Sequence, residues 1–137
     1  MKPVRRFSAA LLSLFAFSLM VVANPPSAQA QGSCPSGSYC IWVDVNFVWP
    51  YCWWPGDDGT YWNDWCSSNG GNEHLAADAA TSYHNNGVPA EFDAIRSFRE
   101  EWYGGSTLTW YAARGARVGW VGASANDDAE SHYWYNG

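Results

Sequence analysis

Two short motifs each occur twice in this chain, in the same order, and the repeat restricts the possible folds more than any other feature. The segment 42–49 aligns with 98–105 at an offset of 56 residues, so that aromatic, acidic and aromatic positions coincide. The segment 78–83 aligns with 128–133 at an offset of 50. Such a repeat predicts two copies of one supersecondary unit that pack against each other.

Aromatic and turn-forming residues dominate the rest of the pattern. Aromatic side chains make up 18% of the chain, and clusters of Gly, Asn, Asp and Pro separate short stretches of them, as is typical of an all-β sandwich. The segments 39–45 and 106–111 are predicted strands, whereas 74–80 and 90–95 offer only a turn or two of helix. We therefore expect an all-β domain built from two repeated motifs.

The first thirty residues have the pattern of a cleavable signal peptide. Three basic residues stand in front of an apolar stretch at 7–23, two prolines end it, and a small-x-small sequence follows at 28–30. Together these features indicate cleavage after Ala30. The apolar stretch is shorter than a bilayer-spanning helix requires. We therefore predict a signal peptide at 1–30 and a secreted single domain at 31–137, with no membrane segment in the mature form.

Removal of the leader leaves a strongly acidic chain. The leader holds three of the seven basic residues and none of the thirteen acidic ones, so the mature charge is 4 − 13 = −9. We expect no nucleic acid partner, because such binding depends on basic side chains that displace phosphate counterions. The acidity suits calcium or a basic partner.

Four cysteines lie in the first half of the mature chain, at Cys34, Cys40, Cys52 and Cys66. An even number of cysteines in an oxidising compartment predicts two disulfides. Three pairings are possible, and we favour Cys34–Cys40 with Cys52–Cys66 because each closes a short local loop. A zinc site is disfavoured, since the spacings contain no Cys-x-x-Cys pair.

The repeated motifs resemble those of a known fold. Aromatic-x4-aromatic-x-Gly, followed about thirty residues later by Asp-x-x-Ser/Thr-Ser, is similar to the double Greek-key motif of the β/γ-crystallins. Phe98, Tyr103 and Gly105 match the first element fully. In the first copy Trp49 replaces the glycine, and a bulky residue does not readily take the positive φ that glycine supplies. The resemblance therefore predicts an altered folded hairpin in the first copy.

The start of the mature chain resembles one group of proteins with that fold. Residues 33–40 are Ser-Cys-Pro-Ser-Gly-Ser-Tyr-Cys, similar to the opening of secreted actinobacterial proteins grouped with the Streptomyces metalloproteinase inhibitor. The resemblance implies a Greek-key sandwich with motifs at about 38–88 and 94–135, a bridged first cysteine pair, and inhibition of an extracellular peptidase. The inhibitor carries a later cysteine pair around its reactive loop, which this chain lacks after Cys66.

The resemblance also implies two calcium sites. The crystallin pattern (Asn/Asp)-(Asn/Asp)-x-x-(Ser/Thr)-Ser supplies the oxygen ligands that calcium prefers, although Ala77 and His132 depart from it here. The candidate ligands are Asp78, Thr81 and Ser82 in the first copy and Asp127, Asp128 and Ser131 in the second. Alternatively, these short side chains only satisfy backbone groups in a turn. Calcium is thus a possible cofactor, and none is required.

Five tryptophans form the candidate partner-binding surface: Trp49, Trp53, Trp54, Trp62 and Trp65. Indole rings are large, and ten of them exceed what a core of this size readily buries, so some should be exposed. We take the segment 50–65, which contains four of the five, as the candidate inhibitory loop. The alternative is a small aromatic core pinned by a disulfide.

Enzymatic activity is not expected. The three histidines have no spacing that identifies a catalytic triad or a metal-binding helix, and no free cysteine is expected. Asp57, Asp58 and Asp64 beside tryptophans resemble a glycosidase cleft only weakly. We expect a monomeric binding protein, foremost a peptidase inhibitor, with a calcium-binding structural or cell-envelope protein and a carbohydrate-binding module as alternatives.

Overall fold

A computed structural model describes residues 32–68, 73–104 and 108–137, so the signal-peptide prediction lies outside the described residues. The strands in these ranges are β1 (Ser38–Trp42), β2 (Tyr51–Trp54), β3 (Trp65–Cys66), β4 (His74–Leu75), β5 (Ser82–Asn86), β6 (Ala94–Phe98), β7 (Leu108–Ala112), β8 (Arg117–Val118) and β9 (Ser131–Tyr135). Three single 3₁₀ turns are the only helical elements there, which confirms the all-β prediction. The short helices considered at 74–80 and 90–95 are absent from the described structure, and strands occupy parts of both segments. No helix in the described ranges is long and apolar enough to cross a membrane.

The two halves of the chain exchange strands. The first sheet has the order β2-β1-β5-β8. It contains three strands from the first half and one from the second, β8, which pairs with β5. The second sheet has the order β7-β6-β9, and the first half contributes Asp58, which exchanges two backbone hydrogen bonds with His132 at 2.8 and 2.9 Å. All of these pairings are antiparallel. Neither sheet is therefore completed by one half alone.

A buried serine fixes the same hairpin in each half. Ser82 Oγ donates to the carbonyl oxygen of Asp44 at 2.8 Å and accepts from the Phe47 N–H at 3.2 Å. In the second half, Ser131 Oγ likewise donates to Glu100 O at 2.6 Å and accepts from Tyr103 N–H at 3.2 Å. The offset of 56 is thereby confirmed for the hairpins. The offset for the second motif is 49, so its alignment at 50 was wrong by one residue.

The folded hairpin of the first half is not altered in the way that Trp49 suggested. Asn46 and Phe47 have φ of 57° and 64°, and Trp102 and Tyr103 have φ of 57° and 61°. Trp49 does not take a positive φ, because the left-handed residues are the two in the middle of the hairpin. Each hairpin therefore keeps the same backbone shape without a glycine at position 49.

A glycine on the exchanged segment lies against each hairpin. Asn46 N–H donates to Gly119 O at 2.7 Å, and Trp102 N–H donates to Gly59 O at 2.5 Å. A Cβ at Gly119 would lie 2.7 Å from Asn46 Oδ1, and a Cβ at Gly59 would lie 2.7 Å from the Trp102 ring. A side chain at either position would therefore have to displace the facing Asn46 amide or Trp102 ring.

Aromatic side chains and two disulfides build the core. Tyr39, Ile41, Tyr61 and Ile95 are fully buried between the sheets. Cys34–Cys40 and Cys52–Cys66 are both bridged, as favoured from the sequence, and the second bridge joins β2 to β3. Burial of this aromatic surface is the main stabilising contribution to such a small domain.

Candidate functional site

The segment 50–65 is held rigidly at both ends and in the middle. The Cys52–Cys66 bridge closes it, and the indole N–H of Trp54 donates to Asp64 Oδ2 at 2.9 Å across the loop. The N–H of Tyr61, in the 3₁₀ turn Tyr61–Asn63, donates to the carbonyl oxygen of Glu130 at 2.8 Å. The side chains of this segment therefore project from a fixed backbone.

The five candidate tryptophans fall into two groups. Trp53, Trp62 and Trp65 are each about half exposed, and Trp53 and Trp65 line the same small cleft. Trp54 also lines this cleft, but it is only 8% exposed and stacks on Tyr61 at 4.6 Å between ring centroids, so most of its ring is packed in the core.

Trp49 belongs with the packed group. Its side chain is only partly exposed, and its ring lies edge-on to that of Tyr51 at a centroid distance of 4.7 Å. The candidate surface, called the indole surface below, therefore consists of Trp53, Trp62 and Trp65.

The carboxyl groups of this segment hold its shape. Asp58 Oδ1 accepts from the Thr60 N–H at 2.9 Å. Burial, together with the nearby carboxylate of Asp64, raises the pKa of Asp58 to about 6, although the Thr60 hydrogen bond acts in the opposite direction. Asp58 and Asp64 are thus brought together, but their contacts with Thr60 and Trp54 indicate a structural role rather than a glycosidase pair.

The two loops that carry the candidate calcium ligands contact each other through backbone hydrogen bonds; the first contains Asp78 and the second contains Asp127. Asp78 N–H donates to Ala129 O at 3.2 Å, and Asp127 N–H donates to Ala80 O at 3.3 Å. Asp78 and Asp127 also share a left-handed backbone, with φ of 52° and 54°. Asp127 is therefore the counterpart of Asp78. The second loop follows the pattern Asn126-Asp127-x-x-Glu130-Ser131, which is one residue earlier than the sequence alignment had it.

Several of the candidate ligand oxygens in these two loops already make contacts within the protein. The hydroxyls of Ser82 and Ser131 are fully buried and bonded to the hairpins, which favours the backbone-satisfying interpretation for these two residues. The Asp128 carboxylate pairs with Arg99 at 2.6 Å. Thr81 Oγ1 of the first loop donates to Asp127 Oδ1 of the second loop at 3.4 Å, so the two loops together form one candidate site, called the first site below.

Acidic side chains of the second loop lie near Asp78, and Asp78 with Glu130 makes up the second candidate site. The pKa of Asp78 is raised by burial and then by the carboxylates of Glu130, Asp128 and Asp127. In the described ranges no three His, Cys, Asp or Glu side chains are arranged to hold a metal ion. An ion at either site would therefore need hydroxyl and backbone oxygens as ligands in addition to carboxylates.

His132 lies outside both loops. It is fully buried in the core, at ring-centroid distances of 4.9 Å from Tyr39 and 5.1 Å from Trp54. It therefore does not replace a calcium-binding serine. Glu130, which takes the place of Thr81 in the second loop, was missed because the alignment was shifted by one residue.

Two exposed tryptophans outside the candidate segment were also missed. Trp102 is 71% exposed and Trp120 is 57% exposed. Trp102 belongs to the second hairpin and Trp120 follows β8. Trp102 contacts Gly59, and Trp120 directly follows Gly119 in the chain. These two glycines are recognised as counterparts only from the hydrogen bonds that they accept from the two hairpins.

Comparisons with known proteins identify the fold. A β/γ-crystallin domain solved in work on the evolution of the eye-lens fold has a TM-score of 0.56 and 15% identity, covering 77% of this chain and 93% of its own. A β/γ-crystallin domain from Clostridium beijerinckii has a TM-score of 0.50 and 18% identity, covering 73% and 99%. A double mutant of that domain gives 0.51, 19%, 73% and 98%. No family model and no curated protein matches the chain.

These similarities establish an all-β, β/γ-crystallin-like Greek-key sandwich with two motifs. The strand exchange and the two serine-held hairpins are the features of this chain that make up that fold. Identities below one fifth extend to the fold and not to the activity.

Proposed function

We propose that this chain is a secreted, non-catalytic binding protein that inhibits an extracellular metallopeptidase through its indole surface. The observation that carries the proposal is the exposure of Trp53, Trp62 and Trp65 on one segment closed by the Cys52–Cys66 disulfide. Half-exposed indoles on a rigid backbone are typical of residues that dominate the binding energy of protein interfaces.

Preorganisation explains why a disulfide-closed segment suits this role. A flexible loop loses conformational entropy when it binds, and this loss weakens the complex. Here the bridge, the hydrogen bond from Trp54 to Asp64 and the contact of Tyr61 with Glu130 fix the segment before any partner arrives. A larger share of the contact energy is then available for affinity.

The location and the class of the protein agree with the proposal. Two disulfides indicate an oxidising environment, and the sequence at 33–40 resembles the opening of secreted peptidase inhibitors. The fold typically serves as a structural or binding domain, and the carboxyl groups of the segment are engaged in structural contacts.

The test is a titration of purified mature protein, residues 31–137, against thermolysin as a representative metallopeptidase. We expect stoichiometric loss of peptidase activity, and weaker inhibition by the Trp53→Ala, Trp62→Ala and Trp65→Ala variants. The Phe92→Ala variant serves as the control, because Phe92 is 57% exposed and lies outside the segment. Full peptidase activity at a large molar excess of the wild-type protein would contradict the proposal.

Calcium binding is a second candidate function, favoured by the crowding of carboxylates around Asp78. Repulsion from Glu130, Asp128 and Asp127 disfavours the charged form of Asp78, and a divalent cation would relieve it. The residues fit a hard cation that prefers oxygen ligands. Thr81 and Asp127 would hold it at the first site, and Asp78 and Glu130 at the second. Calcium binding and inhibition can coexist, because the loops and the indole surface are different residues.

A further inference from the structure

We propose that the cleft beside Trp120 binds a neutral saccharide. The cleft has a volume of about 540 Å³ and lies between the first hairpin, the loop after β8 and the two loops that carry the candidate calcium ligands. This volume falls within the range of about 300–1,000 Å³ that is usual for small-ligand sites. The site is separate from the indole surface, and the inference does not depend on peptidase inhibition.

Part of the cleft lining is apolar. Trp120 is 57% exposed and Val45 is 46% exposed, and both line the cleft together with Val43. The face of an indole ring carries partial negative charge, which attracts the polarised C–H groups on the apolar face of a sugar ring. An exposed indole beside a cleft thus provides the stacking half of a saccharide site.

The cleft lining also contains polar residues that are rich in acceptors, namely Asp44, Thr81, Asn126 and Asp127. The Asp127 carboxylate is oriented by hydrogen bonds from Asn126 Nδ2 at 2.7 Å and from Thr81 Oγ1 at 3.4 Å. Sugar hydroxyls are donors, and hydrogen bonds from them to a charged carboxylate are stronger than bonds between neutral groups. The lining therefore supplies both an aromatic surface for stacking and acceptors for the hydroxyl groups of a sugar.

The equivalent position at the second hairpin shows that the fold does not require this indole. Gly119 and Gly59 are counterparts, so Thr60 takes the position of Trp120, and Glu101 takes that of Val45. There the Thr60 hydroxyl donates a hydrogen bond to the Glu101 carboxylate, which links the two side chains. At the first hairpin, the exposed Trp120 and Val45 cannot form such a hydrogen bond, because the valine side chain has no polar atom. Their exposure is accounted for by a ligand.

Charge restricts the class of saccharide. Asp44 and Asp127 are both exposed carboxylates at the cleft, and the mature chain has a charge of 4 − 13 = −9. Uronic acids and sulfated sugars would be repelled, whereas neutral sugars would not. The expected ligand is therefore an uncharged oligosaccharide.

The test is a titration of the mature protein with neutral cello-, xylo- and manno-oligosaccharides, and with oligogalacturonate as the charged comparison. Tryptophan fluorescence and calorimetry report binding. We expect saturable binding of at least one neutral series, and about tenfold weaker binding by Trp120→Ala, equivalent to about 1.4 kcal/mol. Trp102→Ala is the matched control, because Trp102 is also an exposed tryptophan but lies outside both the cleft and the indole surface.

Each titration is run with calcium and with a chelator. Binding under both conditions supports direct recognition of the sugar hydroxyls by the carboxylates of the cleft. Binding only with calcium supports recognition through an ion that these carboxylates hold. Asp127→Asn should weaken binding in either case while the protein keeps its circular dichroism spectrum. The inference is overturned if no neutral series binds at millimolar concentration, if oligogalacturonate binds as well, or if Trp120→Ala binds like the wild type.

Discussion

Tyr61 and His132 come from different halves of the chain and form a hydrogen bond of 2.7 Å in the core. His132 Nε2 lies 3.0 Å from the carbonyl oxygen of Gly56. A carbonyl oxygen only accepts, so Nε2 carries the hydrogen and Nδ1 accepts from the Tyr61 hydroxyl. Burial lowers the pKa of His132 to about 3, although the contact with Gly56 acts in the opposite direction. The imidazole is therefore neutral in the native protein at neutral pH.

Acid should destabilise the protein through His132. The unfolded chain binds a proton at this residue below a pKa of about 6.5, whereas the native state does not until about pH 3. The contribution is absent above the unfolded pKa, and it lowers the free energy of unfolding by about 1.4 kcal/mol for each pH unit between these limits. Urea unfolding of the wild type and of His132→Gln from pH 7 to 4 measures it.

The contribution of Asp58 to the free energy of unfolding has the opposite dependence on pH. The pKa of Asp58 is raised to about 6, above the unfolded value of about 3.9, so the native state gains stability as the pH falls through this window. His132→Gln retains Asp58, and the difference between the two proteins therefore isolates the histidine. Parallel curves for the wild type and the variant would refute the assignment.

Loss of either hairpin serine should destabilise the domain. Ser82→Ala and Ser131→Ala each leave a part-buried carbonyl oxygen and an N–H without their partner, and an unsatisfied group of this kind costs about 1–3 kcal/mol. Chemical denaturation of the two variants should give similar losses, because the two serines make the same contacts. Ser36→Ala is the control, since Ser36 is exposed. A loss below about 0.5 kcal/mol for both variants would contradict the structural role.

Replacement of Trp102 by asparagine should stabilise the protein. Trp102 has φ of 57°, and a left-handed backbone costs about 1–2 kcal/mol for most residues but less for asparagine. Asn46 occupies the equivalent position in the first hairpin with the same φ. We expect Trp102→Asn to raise the free energy of unfolding by about 1 kcal/mol and Asn46→Trp to lower it. A lower melting temperature for Trp102→Asn would show that the indole packing on Gly59 outweighs the backbone strain.

Calcium should raise the melting temperature, because a ligand that binds only the native state stabilises it by RT ln(1 + [L]/Kd). Asp78→Asn and Asp127→Asn should each reduce the shift. Without calcium, Asp78→Asn should melt at or above the wild-type temperature, since it removes repulsion from Glu130, Asp128 and Asp127. Glu91→Gln, on the exposed segment before β6, is the control. The absence of any shift at millimolar calcium would exclude this function.

The sequence predicts those features that depend on local pattern. The first repeat offset follows from aromatic spacing, and the disulfide pairing follows from short loops, so both could be predicted. The alignment of the second motif failed because Tyr83 and Tyr133 match at an offset of 50, whereas the buried serines that hold the hairpins match at 49. Only the hydrogen bonds distinguish the two alignments.

The mixture of buried and exposed tryptophans was predictable in part. Trp53 and Trp54 are neighbours on β2 and point to opposite faces of the sheet, as alternation along a strand requires. Composition alone does not identify the inner face. Trp120 could not be recognised as part of a cleft, because β8 pairs with β5 and reaches the first hairpin only through the exchange of strands between halves.

That exchange has a consequence for the engineering of this protein. A single motif on its own would lack backbone partners that the other motif supplies here. The two halves depend on each other, since each borrows backbone hydrogen bonds from the other. A cut in the chain between β5 and β6 should therefore yield two fragments that fold when mixed and not when apart.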